Sequence, residues 1–410
     1  MSTHVLRAVA LAAAALLPAW TAATTLSLDQ AIDLAVQRSE GTRSARAGAH
    51  GAAEMARAAG QQPDPMLTVG VDNLPVTGPE RLSTTVESMT MKRIGVAQEW
   101  VSSEKRAARE AAARALAGRE SVMESVAAAE TRLQTALAYL DAYYAGEALK
   151  LTTLSEMHAH DELEAGKGRL ATTSGNGAEV LALTASLGMA EDESSDVRQQ
   201  QGAASVVLQR WVGLAVDELS APGMVTSPTE AQYVAAHPTV VARQRDIEVA
   251  RQDTTLARLN RKPNWTWEVS YGQRTGYPDL VSVGVSIPLP VAPAQRQDRE
   301  TAAKLALVEK TEAELAEAQR AAQGEYAALV SDAKRLRDRI DKYHDAVLIP
   351  TQQRTAATLA ADRSNQASLA TLFEARHAEV EVQRKLLALR RELARAQAQL
   401  TFKSIPGAEQ

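Results

Sequence analysis

The sequence predicts a mainly α protein with a small β part, in which long antiparallel coiled-coil helices are interrupted by pairs of amphipathic strands. Three observations lead there. Proline, which breaks helix interiors, is absent between Pro79 and Pro222, between Pro293 and Pro350, and between Pro350 and Pro406. Apolar residues recur at heptad spacing, as in Ala322, Tyr326, Leu329, Ala333, Leu336, Ile340, Tyr343 and Val347, and again in Val382, Leu386, Leu389, Leu393, Ala396 and Leu400. Two short stretches switch to a period of two, each followed by a long helical pattern.

Taken from the start, residues 1–23 read as a secretory leader. Arg7 supplies the positive charge, Val9 to Leu17 a short apolar run, Pro18 its break, and Thr21-Ala22-Ala23 the small residues of a cleavage site. The apolar run is too short to span a bilayer as a helix. The remainder reads as two copies of one unit, residues 24–220 and 221–402, with a tail at 403–410. Pro63-Asp64-Pro65 recurs as Pro263-Asn264-Trp265, and Tyr143-Tyr144 as Tyr343-His344, at the same offset. The join is Ser220-Ala221-Pro222-Gly223. Each unit is expected to run helix, strand, strand, long helix, long helix. The expected strands are 66–73, 91–100, 265–273 and 280–289. The expected long helices are 103–165, 178–214, 294–349 and 351–402. Two polar, small-residue breaks read as hairpin tips: Gly166-Lys167-Gly168 continuing to Thr172–Gly177, and Asp362-Arg363-Ser364-Asn365-Gln366.

The strands carry the functional signal. Trp265, Trp267, Val269 and Tyr271 alternate with Thr266, Glu268, Ser270 and Gly272. Val281, Val283, Val285 and Ile287 alternate with Ser282, Gly284 and Ser286. Each run has the length of a tilted transmembrane strand, and Trp100, Trp265 and Trp267 suit an interfacial aromatic belt. Periodicity alone allows a second reading, a sheet packed on a soluble core. Against it, only 4% of residues are aromatic, so few bulky side chains remain to cover a sheet. Four strands cannot close a membrane barrel, and open edges in lipid cost several kcal/mol per unpaired backbone group. Several chains must then share one barrel. Three give about 12 strands, an even number in the known range.

Other chemistry finds little footing. There is no cysteine, which excludes disulfides, thiolate metal sites and an acylated N-terminal cysteine. The net charge of −5 is spread along the chain and offers no basic stripe for nucleic acid. Nucleotide-binding and nucleophile-elbow motifs are missing, and Glu54, Asp72, Glu99 and Glu268 lack the pairing of acid–base catalysis. No enzyme activity, cofactor or metal ligand is therefore expected. His158 and His160 point to different sides of a helix, and zinc needs three or four convergent groups. Met66, Met89 and Met91 read as flexible rim packing, with contact to soft Cu(I) as the sharper alternative. Asp362 and Arg363 are the candidate gate: symmetry would gather three copies at a tunnel end, where charged rings can pair and select. Their plain reading is a solvated turn.

At this point the chain resembles TolC-type outer-membrane factors over nearly all of its mature length. The tandem repeat and the strand–strand–helix–helix order carry the broad likeness. Asp64-Pro65, Val71-Asp72-Asn73-Leu74-Pro75-Val76-Thr77-Gly78, Met89-Thr90-Met91-Lys92-Arg93-Ile94-Gly95-Val96 and Gln98-Glu99 are similar to the heavy-metal, CzcC- and CusC-like branch. The Ala360–Arg376 stretch, with Leu369 and Leu372, resembles the family's periplasmic hairpin. The resemblance implies a homotrimer in the outer membrane, with a 12-stranded β-barrel above a periplasmic α-barrel of 12 helices. It also implies a periplasmic adaptor and an inner-membrane RND-type pump as partners, with copper or cobalt–zinc–cadmium cations as cargo. The glycine-rich first tip and the missing lipidated cysteine depart from the pattern. A duct for other small molecules or for type I protein secretion, and a soluble periplasmic coiled-coil adaptor or scaffold, are the competing readings.

Overall fold

The computed structural model describes residues 25–172, 176–223, 226–364 and 366–407. The leader assigned to residues 1–23 lies outside them. The first repeat comprises α1 (Leu28–Arg38), α2 (Glu40–Ala59), β1 (Met66–Asp72), β2 (Met91–Trp100), α3 (Ser103–Ala171) and α4 (Gly177–Val212). The second comprises α5 (Glu230–Ala235), α6 (Pro238–Leu259), β3 (Trp265–Gln273), β4 (Leu280–Ser286), α7 (Gln297–Tyr343), a π-turn at His344–Leu348, α8 (Ile349–Arg363) and α9 (Leu369–Phe402). The duplication reaches the helix caps. Ser27 with Gln30 opens α1, and Thr229 with Gln232 opens α5, by the same reciprocal capping box.

Helix α3 has 69 residues, about 100 Å at 1.5 Å per residue. A helix that long owes its stability to neighbours along its length. It packs against α2, α4, α6 and α9. Alanine makes this close approach possible. Ala129 and Ala136 are fully buried, and Leu133, Leu140, Leu208, Val212, Ala398 and Phe402 cluster with Ala136 and α1. Tyr139 is fully buried there too, its hydroxyl 2.8 Å from the Leu26 carbonyl and 2.7 Å from that of Ser220. It ties the start of the described chain to the segment joining the repeats.

Three boundaries differ from the sequence expectation, each for a local reason. Helix α3 runs through Gly166-Lys167-Gly168 to Ala171 and α4 begins at Gly177, so the first break starts after Ala171; residues 173–175 of the expected tip lie outside the described residues. Gly166 is a packing residue: a Cβ there would lie 2.6 Å from Leu183 Cδ1 of α4. Pro350 does not divide two hairpin helices. The Ile349 N–H donates to the His344 carbonyl five residues back, and the widened π-turn absorbs the bond that proline cannot make. Helix α8 continues to Arg363 and α9 begins at Leu369; Asn365 of the expected second tip lies outside the described residues. Strand β4 stops at Ser286 rather than 289, because Pro288, Pro290 and Pro293 cannot donate to a ladder.

The four strands form one antiparallel sheet in the order β1-β2-β3-β4, so the central β2–β3 pair joins the two repeats. Polar side chains fix the sheet to the helices. Gln62 and the Val101 backbone exchange two hydrogen bonds of 3.0 Å. Lys105 of α3 donates to the Lys262 carbonyl (2.7 Å) and to Asn264 Oδ1 (2.8 Å), and Asn264 donates to Glu99 Oε1 (2.6 Å). Burial lowers the Lys105 pKa, yet three groups of the second repeat and of β2 are organised around its ammonium.

Candidate channel wall and helical tip

Cross-strand register sorts the sheet into two faces. On one, Val69, Ile94, Tyr271 and Val281 form a row; Leu67, Val96, Val269 and Val283 form the next; Gln98, Trp267 and Val285 follow. Trp100 and Trp265 close this face, with ring centroids 5.9 Å apart. Trp265, Val269, Tyr271, Val281, Val283, Val285 and Ile287 are all exposed, Val283 by 73%, and Trp267 is half-buried. The singled-out apolar residues of β3 and β4 thus share one uncovered surface with Leu67, Val69, Ile94 and Val96 of the first repeat.

The other face is small and polar. Thr68, Gly95, Ser270 and Ser282 form one row, and Met66, Ala97, Glu268 and Gly284 another. A Cβ on Gly95 would come within 2.7 Å of the Ser270 Cβ, so β2 and β3 approach closely at this point, whereas Gly70 and Gly284 on the same face have open space around them. Arg93 lies between Asp72 (3.1 Å) and Glu268 (3.6 Å), linking β1, β2 and β3. Sequence reasoning missed this tie, although all three residues have the parity of the serines and glycines.

At the far end, α3 and α4 form one hairpin and α8 and α9 the other. Leu163 and Leu183 pack on Leu369, and Ala159 and Ala190 on Phe373. The two candidate gate residues part company. Asp362 is 8% exposed and accepts from Arg169 Nη2 at 2.9 Å, while Arg363 is exposed. Asp362 therefore ties the second hairpin to the end of α3. Further up α3, Glu162 is buried and bonds Arg376 of α9 at 2.6 Å. Desolvation, opposed by Arg376, pushes its pKa up to about 7. Beyond it Glu193 of α4 pairs with Arg384 and lies 3.8 Å from His377, which stacks on Phe373. Burial raises the Glu193 pKa as well. Glu162 could have been found in the sequence. Thr152, Ser155, Ala159, Glu162 and Gly166 are spaced as a heptad seam, and all five are buried.

Met66 and Met89 are exposed near the sheet, and Met91 packs toward Gly272. His158 is half-buried and His160 exposed. Among the described residues no three His, Cys, Asp or Glu side chains converge to hold a metal ion.

No protein-family model matches the chain, and no match was found among curated proteins. Solved structures do resemble it. A membrane protein from Pseudomonas aeruginosa superposes with a TM-score of 0.76 at 14% identity, covering 92% of this chain and 89% of that one. The Campylobacter jejuni CmeC outer membrane channel gives 0.75 at 11% identity, with 93% and 86% covered. CusC, solved in a study of its folding and transmembrane channel formation, gives 0.74 at 14% identity, with 91% and 92% covered. At such identities the likeness establishes the fold: long helices joined to a small four-stranded antiparallel sheet, as in outer-membrane channel proteins.

Proposed function

We propose that the chain is one subunit of a homotrimeric outer-membrane efflux duct with a periplasmic helical tunnel. The observation that carries this reading is the sheet. It has an apolar outer surface, a polar opposite surface, and free edges at β1 and β4. An uncovered valine and tryptophan face is stable in lipid, and pairing of β4 with β1 of the next copy removes both edges. Three copies give about 12 strands. From Lys92 to Trp100 strand β2 rises about 27 Å at ~3.4 Å per residue; a tilt of about 40° leaves roughly 21 Å, near the ~25 Å apolar band of such barrels. The lipid-facing residues are then Trp265, Trp267, Val269, Tyr271, Val281, Val283, Val285 and Ile287, with Trp100 and Trp265 at the periplasmic boundary. Among the described residues no helix is long and apolar enough to cross a membrane.

The duct performs no chemistry, and the energy for transport comes from an inner-membrane pump of the RND type, reached through a periplasmic adaptor. Heavy-metal cations of the copper or cobalt–zinc–cadmium class are the proposed cargo. The resemblance of the 64–99 segment to the heavy-metal branch supports that choice. Native mass spectrometry of detergent-extracted outer membranes is expected to give a trimer. A protein released as monomer without detergent is instead a soluble scaffold. Sensitivity of a deletion strain to copper, silver, zinc, cobalt and cadmium tests the cargo.

A further inference from the structure

Near the tip one buried group is explained neither by coiled-coil packing nor by a wall function. Glu162 points inward from α3 and is only 4% exposed. Its Oε1 accepts from Arg376 Nη1 at 2.6 Å, but its Oε2 is enclosed without a hydrogen-bond partner. Leaving one oxygen of a carboxylate dry and unbonded is costly, and a single cation on the other oxygen offsets this only in part. Charged neighbours surround it. Helix α8 brings Asp362, itself held by Arg169, and α9 brings Arg376 and then His377. From α3 itself come Asp161 and His158. Helix α4 packs with Leu183, Leu187 and Ala190, flanked by Glu179 on the Leu369 N–H (3.0 Å) and by Glu193 on Arg384. Asp362 and Asp161 push the Glu162 pKa the same way as burial does, against Arg376.

We propose that Glu162 and Arg376 form a proton-controlled latch between the two helical hairpins: with Glu162 protonated the α8–α9 hairpin rests shut against α3, and loss of that proton loosens it. The latch rests on the duct reading, since it acts on the periplasmic end of that duct. A neutral acid fits the enclosed site better than a carboxylate because it carries no charge to desolvate, while Oε1 keeps its bond from Arg376. A carboxylate does better in water, which it reaches only when the hairpins separate.

The sign follows from linkage. Closed, Glu162 titrates at about 7; solvated in an open tip it returns to about 4.5. The closed form thus binds the proton more tightly. Its advantage is complete below about 4.5, is lost as pH rises to about 7, and is constant above. That difference corresponds to a change of up to about 300-fold in the closed-to-open ratio. Glu193, raised by burial, pushes in the same direction, and His158, lowered by burial, in the opposite one.

The test is channel conductance in planar bilayers in potassium chloride from pH 4 to 8, for the parent, Glu162→Gln, Glu193→Gln and Arg376→Gln. The parent is expected to conduct more as pH rises and to level off near pH 7. Glu162→Gln, an isostere of the protonated acid, should stay poorly conducting at pH 7.5 and lose the rise. Glu193→Gln should keep the rise. Arg376→Gln should move the plateau above pH 7, because the acid loses its cation; this variant carries the test if Glu162→Gln fails to form trimers. A parent whose conductance does not change with pH overturns the latch. So does a rise retained in Glu162→Gln, one lost only in Glu193→Gln, or a plateau left in place by Arg376→Gln. Absence of any channel from the parent at every pH counts against the duct reading itself.

Discussion

In the sheet the bulky apolar side chains point outward, while glycine, serine and the Arg93 ion pairs lie on the opposite face. In the helical hairpins the arrangement reverses: alanine and leucine point inward, and most charges lie outside. One chain is thus patterned for two surroundings, with Lys105, Asn264 and Glu99 at the boundary. The difference teaches that burial within one copy is a poor guide to stability here. Val283 is 73% exposed and Gly166 is buried, yet both are proposed as places where a larger or charged side chain is not tolerated.

The largest expected effect breaks that comparison at the sheet. Val283→Arg puts a charge on the proposed lipid face, where it costs about 2–4 kcal/mol near mid-bilayer. Ser282→Arg lies on the opposite face, in the row of Ser270, Gly95 and Thr68, and should be nearly silent in a wet lumen. The measurement is the fraction of each variant recovered as trimer from outer membranes. Equal recovery would return the sheet to a soluble role.

The next effect lies in the hairpins. Gly166→Ala drives a methyl group into Leu183, at a cost of about 1–3 kcal/mol from overpacking. The gain in helix propensity recovers at most about 1 kcal/mol. Gly168→Ala, two residues on, meets nothing within 4 Å and should gain that propensity outright. Thermal unfolding should therefore lower Tm for the first and raise it for the second. A rise in both would mean that α3 and α4 are not held at this separation.

These two glycines also show why part of the molecule was legible in sequence and part was not. Strand pairs were legible because alternation is local: Val281, Val283 and Val285 against Ser282 and Gly284 need no partner to be recognised. Long helices were legible from the spacing of the prolines. The sequence places the start of the first tip too early, because a glycine needed for close packing and one tolerated on a surface look alike. The sequence places a helix end at Pro350, because a π-turn leaves no mark of its own there. Sequence adjacency groups Asp362 with Arg363, whereas its partner Arg169 lies 193 residues away. Contacts between the repeats are set by superhelix and register, which no single segment encodes.

The smallest expected effect concerns those two tip residues. If Asp362 and Arg363 interleave between copies around a closed tunnel end, removing either should have about the same consequence, and removing both should add little. The structure commits Asp362 to Arg169 within its own chain, in a largely buried pair, and leaves Arg363 in solvent. The two substitutions should then act independently. Asp362→Ala leaves the Arg169 guanidinium without this carboxylate and frees the second hairpin, so it should raise bilayer conductance at both low and high salt. Arg363→Ala removes an exposed charge whose pairings contribute only about 0–1 kcal/mol, and its effect should vanish near 1 M salt, where the Debye length is about 3 Å. The double variant measures the coupling. Changes in the closed-to-open ratio that multiply show independence; a double variant no different from either single one shows that the two residues belong to one ring of pairs between copies.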